Sequence, residues 1–135
     1  MRAIRVHETG GPEVLRLDTV PDPTPAAGEV LIDVEAIGVN FIEIYQREGH
    51  YPLPRPFTLG AEGAGTVRAV GSGVTDLAVG DRVVSQRLKG AYAERAVGLA
   101  EHAMRIPEGV SVKLAAARLA SRTHRAIICR RHSIQ

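Results

Sequence analysis

A mainly β fold, a barrel of short strands with minor helices, is what this chain predicts, and three observations carry the prediction. The segment Val30-Leu31-Ile32-Asp33-Val34-Glu35-Ala36 alternates strictly. It places Val30, Ile32, Val34 and Ala36 on one face, as a half-buried antiparallel strand requires. Two further segments, Gly65 to Gly71 and Gly80 to Val84, read as strands with glycine turns at an end. The connections between these pieces are rich in glycine and proline, the punctuation of an all-β architecture.

Taken in order, the first strand falls around Ile4–Val6 and the second around Val14–Leu17, joined through Gly10-Gly11-Pro12. Pro21-Asp22-Pro23-Thr24-Pro25 cannot enter a sheet interior and predicts a surface loop. After the alternating strand, Asn40 is placed to cap a short helix over Phe41 to Arg47, and Gly49 ends it. Pro52, Pro54 and Pro56 hold the next segment extended. Tyr92 to Val97 makes a further strand. The run Gly60-Ala61-Glu62-Gly63-Ala64-Gly65 invites a phosphate-loop reading, but a dinucleotide fingerprint needs GxGxxG between a strand and a helix. This run has other spacing and leads into a strand, so its glycines are expected to serve positive φ or close backbone approach.

The 135 residues give room for one domain with a true core, and the 44% hydrophobic fraction is ordinary for a soluble fold. No apolar run approaches the ~18 residues of a membrane span. Met1-Arg2-Ala3-Ile4-Arg5 reads as strand rather than signal peptide. One cysteine, Cys129, permits no internal disulfide and fits a reducing cytoplasm, the expected location.

Charge divides the chain in two. Basic side chains number 17 and acidic 15, yet every acid lies at or before Glu108. Arg118, Arg122, Arg125, Arg130 and Arg131 fall in the last eighteen residues, so residues 1–117 are mildly acidic and the tail alone is basic.

The stretch GVNFIEIYQREGHYPLPRPFTLGAEGAGTVRAVGSGVTDLAVGDRVV, from Gly38 to Val84, is the most informative in the chain. With the opening MRAIRVHETGGPEVLRL and the later GAYAERAVGLAEHAMRIPEGVS, it resembles the N-terminal catalytic domain of the medium-chain dehydrogenase/reductase superfamily, in its zinc-free quinone oxidoreductase branch. The resemblance covers Met1 to about Ala117 and implies a GroES-like, partly open barrel. Zinc-dependent members carry a Cys after a Gly-Val strand end and a Gly-His-Glu further on. Here Asn40 and Ala61 stand at those places, leaving only Glu62, and a catalytic zinc needs about three protein ligands. No two of His7, His50, His102, His124 and His132 have metal-ligand spacing. No metal is expected.

The resemblance also implies site residues. Asn40 would face the nicotinamide cleft, in addition to its role as a helix cap. Phe41 and Ile42 would wall the same cleft, Tyr45 would contact the nicotinamide side, and Tyr51 would line the quinone pocket. Plain readings stand beside these: a tyrosine with a satisfied hydroxyl, a solvated loop histidine at His50, a structurally paired carboxylate at Glu62, turn chemistry at Arg82. No residue is assigned a catalytic role. The implied activity is hydride transfer from NADPH to a quinone or enone, electrophilic acceptors that do without the Lewis acid an alcohol substrate needs. The implied full-length form is a homodimer, with no nucleic-acid or membrane partner.

Residues 118–135 depart from the family, which would continue along a helix into a Rossmann domain. The dinucleotide fingerprint appears nowhere in the chain, so the chain as written is expected to be inactive alone. With suitable synonymous codons, SRTHRAIICRRHS read one nucleotide later can encode AGLTAQLFAADIP, which suits the family at this point. The tail is therefore expected to be a remnant of a truncated or frameshifted Rossmann domain. A basic tail that engages nucleic acid or anionic lipid is the competing reading. A non-catalytic GroES-like binding or co-chaperone module and an inert gene product are the alternatives for the whole.

Overall fold

The computed structural model describes residues 1–120 and 126–129, with side chains through residue 119. Its centre is the strand that the alternation predicts. β1 (Arg2–Val6) and β2 (Leu15–Thr19) form an antiparallel hairpin, joined through a 3-10 turn at Pro12–Val14. β3 (Glu29–Val39) follows, then helix α1 (Phe41–Glu48), β4 (Phe57–Thr58) and β5 (Gly63–Val70). β6 (Arg82–Ser85), β7 (Leu88–Lys89), β8 (Arg95–Leu99) and β9 (Ala103–Arg105) complete the barrel. Helix α2 (Val112–Ala120) and β10 (Ala126–Cys129) come last.

Two sheets result. One has the order β2-β1-β4; the other runs β7-β8-β3-β5-β6-β9, with β10 also on β3. The curled sheets make the mainly β, GroES-like half-barrel that the sequence implies. β3 is the spine because both its edges are used. Its whole length from Val30 to Ile37 pairs with β5, while Glu29 to Asp33 pairs with β8 on the other edge.

Burial along β3 departs from the simple half-buried strand. Leu31, which points to the opposite face from Val30 and Ile32, is also buried. The predicted single face also splits. Val30, Ile32 and Val34 enter a core with Val67, Val83 and Leu88, but Ala36 joins a second core with Ala64, Val84, Ile106, Val112 and Ala116. The register shifts between Val34 and Ala36, and such an irregularity bends the strand and re-aims its side chains.

The helix at 41 is found where expected and is one residue longer than expected. Gly49 closes it at φ 87°, a left-handed conformation suited to glycine. Gly60 sits at φ 101°, and a Cβ on Gly65 would overlap the Asp33 carbonyl, so the glycine run serves backbone geometry.

The short strands β4, β7 and β9 have no sequence signature, being two or three residues long. After Ser111, whose hydroxyl accepts the Leu114 N–H at 3.1 Å, an apolar period runs through Val112, Ala116 and Leu119. Strand β10, in the tail, was not foreseen. Arg122, Arg125, Arg130 and Arg131, on which the basic-tail and frame-shift readings rest, lie outside the described residues.

Candidate active site

α1 begins at the point where β3 leaves the sheet, and its first turn carries a buried carboxylate, Glu43. Asn40 is the N-cap, in extended conformation at φ −120° and ψ 157°. Glu43, three residues on, turns its carboxylate back: Oε2 accepts the Asn40 N–H at 2.5 Å, and Oε1 accepts the Ala61 N–H at 3.4 Å. Asn40 and Glu43 thus have the arrangement of a capping box, although Oδ1 of Asn40 makes no hydrogen bond that closes it. The carboxylate near the helix N-terminus is favoured by the unpaired amides there.

Glu43 is only 3% exposed and Glu62 only 4%. The side-chain nitrogen of Asn40 stands between them, 3.5 Å from Glu43 Oε1 and 3.5 Å from Glu62 Oε2. Ionised carboxylates only accept, so the amide must turn its NH2 toward them and its oxygen away. Burial pushes the Glu43 carboxyl above its ordinary range, against the pull of the Asn40 and Ala61 N–H groups. The Tyr92 hydroxyl is raised as well, chiefly by burial and then by the negative charge of Glu43. The backbone makes room for the second carboxylate: a Cβ on Gly38 would overlap the Glu62 side chain.

The outer face of the helix is the reverse of this. Phe41 is 61% exposed, and Ile42, Tyr45 and Tyr51 are each close to half exposed. The Tyr45 and Tyr51 rings lie 6.2 Å apart, and His50 meets Tyr45 edge-on at 5.9 Å. The structure therefore brings Tyr45 and Tyr51 together on one apolar surface beside Phe41 and Ile42, whereas the Asn40 amide is turned into the two carboxylates. His50 is solvated and pairs with Glu48, as its plain reading anticipates. Glu62 is structurally paired, and the Asn40 amide is among its partners. Arg82 donates to the Val110 and Pro107 carbonyls, fixing the turn ahead of α2.

Glu43 and Tyr92 are the members of this cluster that sequence reasoning missed. The spacing of Asn40 and Glu43, an N-cap followed three residues later by an acid, was the available signal for the first. Nothing local marks Tyr92, which arrives from a loop fifty residues away. Among the described residues, no group of three His, Cys, Asp or Glu side chains is placed to hold a metal ion, and no helix is long and apolar enough to cross a membrane.

A half-barrel whose spine strand delivers a capped helix with an apolar outer face is a known class of domain. The chain belongs to the family of alcohol dehydrogenase GroES-like domains, whose model matches residues 26–116. Quinone oxidoreductases are among its curated relatives. Quinone oxidoreductase 1 of Escherichia coli is 44% identical over 116 residues, which cover 84% of this chain and 36% of that protein. The Homo sapiens quinone oxidoreductase is 43% identical over 122 residues, 87% of this chain and 37% of that protein. Among solved structures, a mycobacterial protein complexed with NADPH superposes at a TM-score of 0.84 with 51% identity, covering 87% of this chain and 37% of its own. Escherichia coli quinone oxidoreductase complexed with NADPH does so at 0.83 with 42% identity, covering 87% and 36%. The chain thus spans little more than a third of the length of the relatives it matches.

Proposed function

We propose that residues 1–117 are the N-terminal catalytic domain of a zinc-free, NADPH-dependent quinone oxidoreductase, supplying one wall of the cleft in which hydride is transferred. The observation that carries this reading is the exposed apolar face of α1 and its following loop: Phe41, Ile42, Tyr45 and Tyr51, clustered beside Asn40. A contiguous apolar surface of this kind marks a binding face. Its aromatic members suit a flat nicotinamide or quinone ring.

The residues present fit the nicotinamide end of the cofactor. Asn40 Oδ1 is buried without a partner among the described residues, an acceptor available to the N–H of a carboxamide. Asn40 would hold that group, Tyr45 would pack against the ring, and Phe41 and Ile42 would exclude water. Tyr51, reached by a turn from Tyr45, would flank a quinone or enone. The bound cofactor supplies a hydride. What this chain supplies is alignment and dryness, the two contributions that suffice for an electrophilic acceptor. Asn40 and Ala61 at the places where zinc-dependent members carry ligands support a site that works without that metal.

The test joins residues 1–117 to the remaining length of the Escherichia coli enzyme and follows NADPH oxidation with 1,4-benzoquinone, beside the 135-residue chain. The hybrid should consume NADPH only when quinone is present, and the short chain should not. A hybrid that folds and binds NADPH yet leaves benzoquinone unreduced would overturn the proposal.

A further inference from the structure

Asn40 is the only asparagine in the chain, and one nitrogen of its side chain meets two buried carboxylates. Glu43 Oε1 and Glu62 Oε2 each lie 3.5 Å from Nδ2. Both glutamates are buried, so the sign of charge decides how the amide sits. An oxygen at that place would face two carboxylates, whereas an NH2 faces two acceptors. The amide is planar, with oxygen and nitrogen on opposite sides. Holding Nδ2 against the pair therefore turns Oδ1 away from it, and Oδ1 is the buried acceptor that has no partner.

Glu43 is the buried group in this cluster to which the proposed function gives no part. Its carboxylate is pinned from two elements. Oε2 accepts the Asn40 N–H at the head of α1, and Oε1 accepts the Ala61 N–H from the lead-in to β5. With both oxygens anchored on backbone donors, Oε1 presents an acceptor to the Asn40 amide and cannot turn aside. Glu62 comes from the same lead-in and is held by a further interaction as well, so its position does not depend on Asn40.

We infer that Glu43 is a positioning residue that sets the polarity of the Asn40 amide, so that the cleft offers an acceptor and selects a cofactor ring bearing a carboxamide N–H. The inference rests on the nicotinamide cleft proposed above. A ring substituent that only accepts, such as the acetyl group of a 3-acetylpyridine cofactor, sets a lone pair against Oδ1. A site built to bond an N–H rejects the analogue without one, because its own buried group is left unpaired. Glu43→Gln reverses the logic with almost no change of shape. Its amide oxygen keeps the bond to the Asn40 N–H, which leaves its NH2 at the place of Oε1. The Asn40 amide then turns its oxygen to that donor and its own NH2 away.

Two measurements test this, one of them without any cofactor. In the 135-residue chain labelled with nitrogen-15 in asparagine alone, a single side-chain NH2 pair is observed, that of Asn40. Its protons should exchange with water about tenfold more slowly than in an unstructured peptide, and Glu43→Gln should abolish that protection. In the hybrid with the Escherichia coli remainder, equilibrium titration should show NADPH bound about tenfold more tightly than its 3-acetylpyridine analogue. Glu43→Gln should cut that preference to about twofold, weakening NADPH and strengthening the analogue. Contacts from the other half are common to both proteins and cancel in the comparison. Asn40 protons that exchange at the peptide rate in the parent chain would overturn the inference with no variant needed. So would a cofactor preference that Glu43→Gln leaves unchanged. Failure of the quinone reading looks different: benzoquinone stays unreduced while the preference and its loss in Glu43→Gln persist, which supports the role given to Glu43.

Discussion

The middle of β3, at Ile32, and the start of α1, at Asn40, are eight residues apart and solve opposite problems. Around Ile32 the buried side chains form an apolar cluster: Val30, Val34, Val67, Val83 and Leu88 close on one another, and the backbone is paired on both edges. Around Asn40 two carboxylates and an amide are buried together, one hydroxyl is pushed away from ionising, and one amide oxygen is left over. The first region stabilises the fold. The second costs stability, since buried charge is tolerated only with compensating partners, and such places are where function is found. The aromatic face above it makes no such demands and is held out to solvent.

The contrast can be broken by substitution, and the largest effect belongs to the core. Ile32→Ala should lower unfolding free energy by about 2–5 kcal/mol in denaturant titration, for the lost contacts and the cavity left behind. Gly38→Ala comes next, at roughly 1–3 kcal/mol, because the added methyl must displace the Glu62 carboxylate. Its signature is a loss of stability without any apolar group being removed.

Glu43 sharpens the comparison through pH. Its carboxyl is raised in the folded chain, so the fold binds that proton more tightly than the unfolded chain does. The group's contribution to stability is therefore greatest below its unfolded value, near 4.5, and is lost as pH climbs through the folded value. The melting temperature of the parent minus that of Glu43→Gln should fall steadily between pH 4.5 and pH 8. A difference that rises with pH would refute the burial argument. The smallest effect on stability belongs to the outer face: Tyr45→Ala and Tyr51→Ala should each stay within about 0.5 kcal/mol of the parent, while the hybrid enzyme loses quinone reduction.

Much of the barrel was legible because its strands obey simple local rules. The alternation from Val30, the turn at Gly10-Gly11-Pro12, the Asn40 cap and the Gly49 stop each report a backbone state that neighbouring residues decide. The strands at Phe57, Leu88 and Ala103 were illegible because two or three residues carry no period. They exist by pairing with a distant edge. The same limit applies to the site. Phe41, Ile42, Tyr45 and Tyr51 were nominated from the family pattern, and the surface they share follows from helix and turn geometry. The orientation of Asn40 could not be read, since it depends on Glu62, which the lead-in to the neighbouring strand β5 brings beside it. β10 was missed for the reason that it is a strand only against β3, in a stretch whose sequence looks like neither family nor period.

Arg47, in the last turn of α1, accepts the Gly10 N–H and returns a donor to the Gly10 carbonyl, both at 3.1 Å. The hairpin bend of the first two strands is therefore clamped to the far end of the site helix. Pulling on that bend would tilt the aromatic surface as a lever tilts a plate, so lesions around Thr9 and Gly10 would be felt by any ring resting on Tyr45.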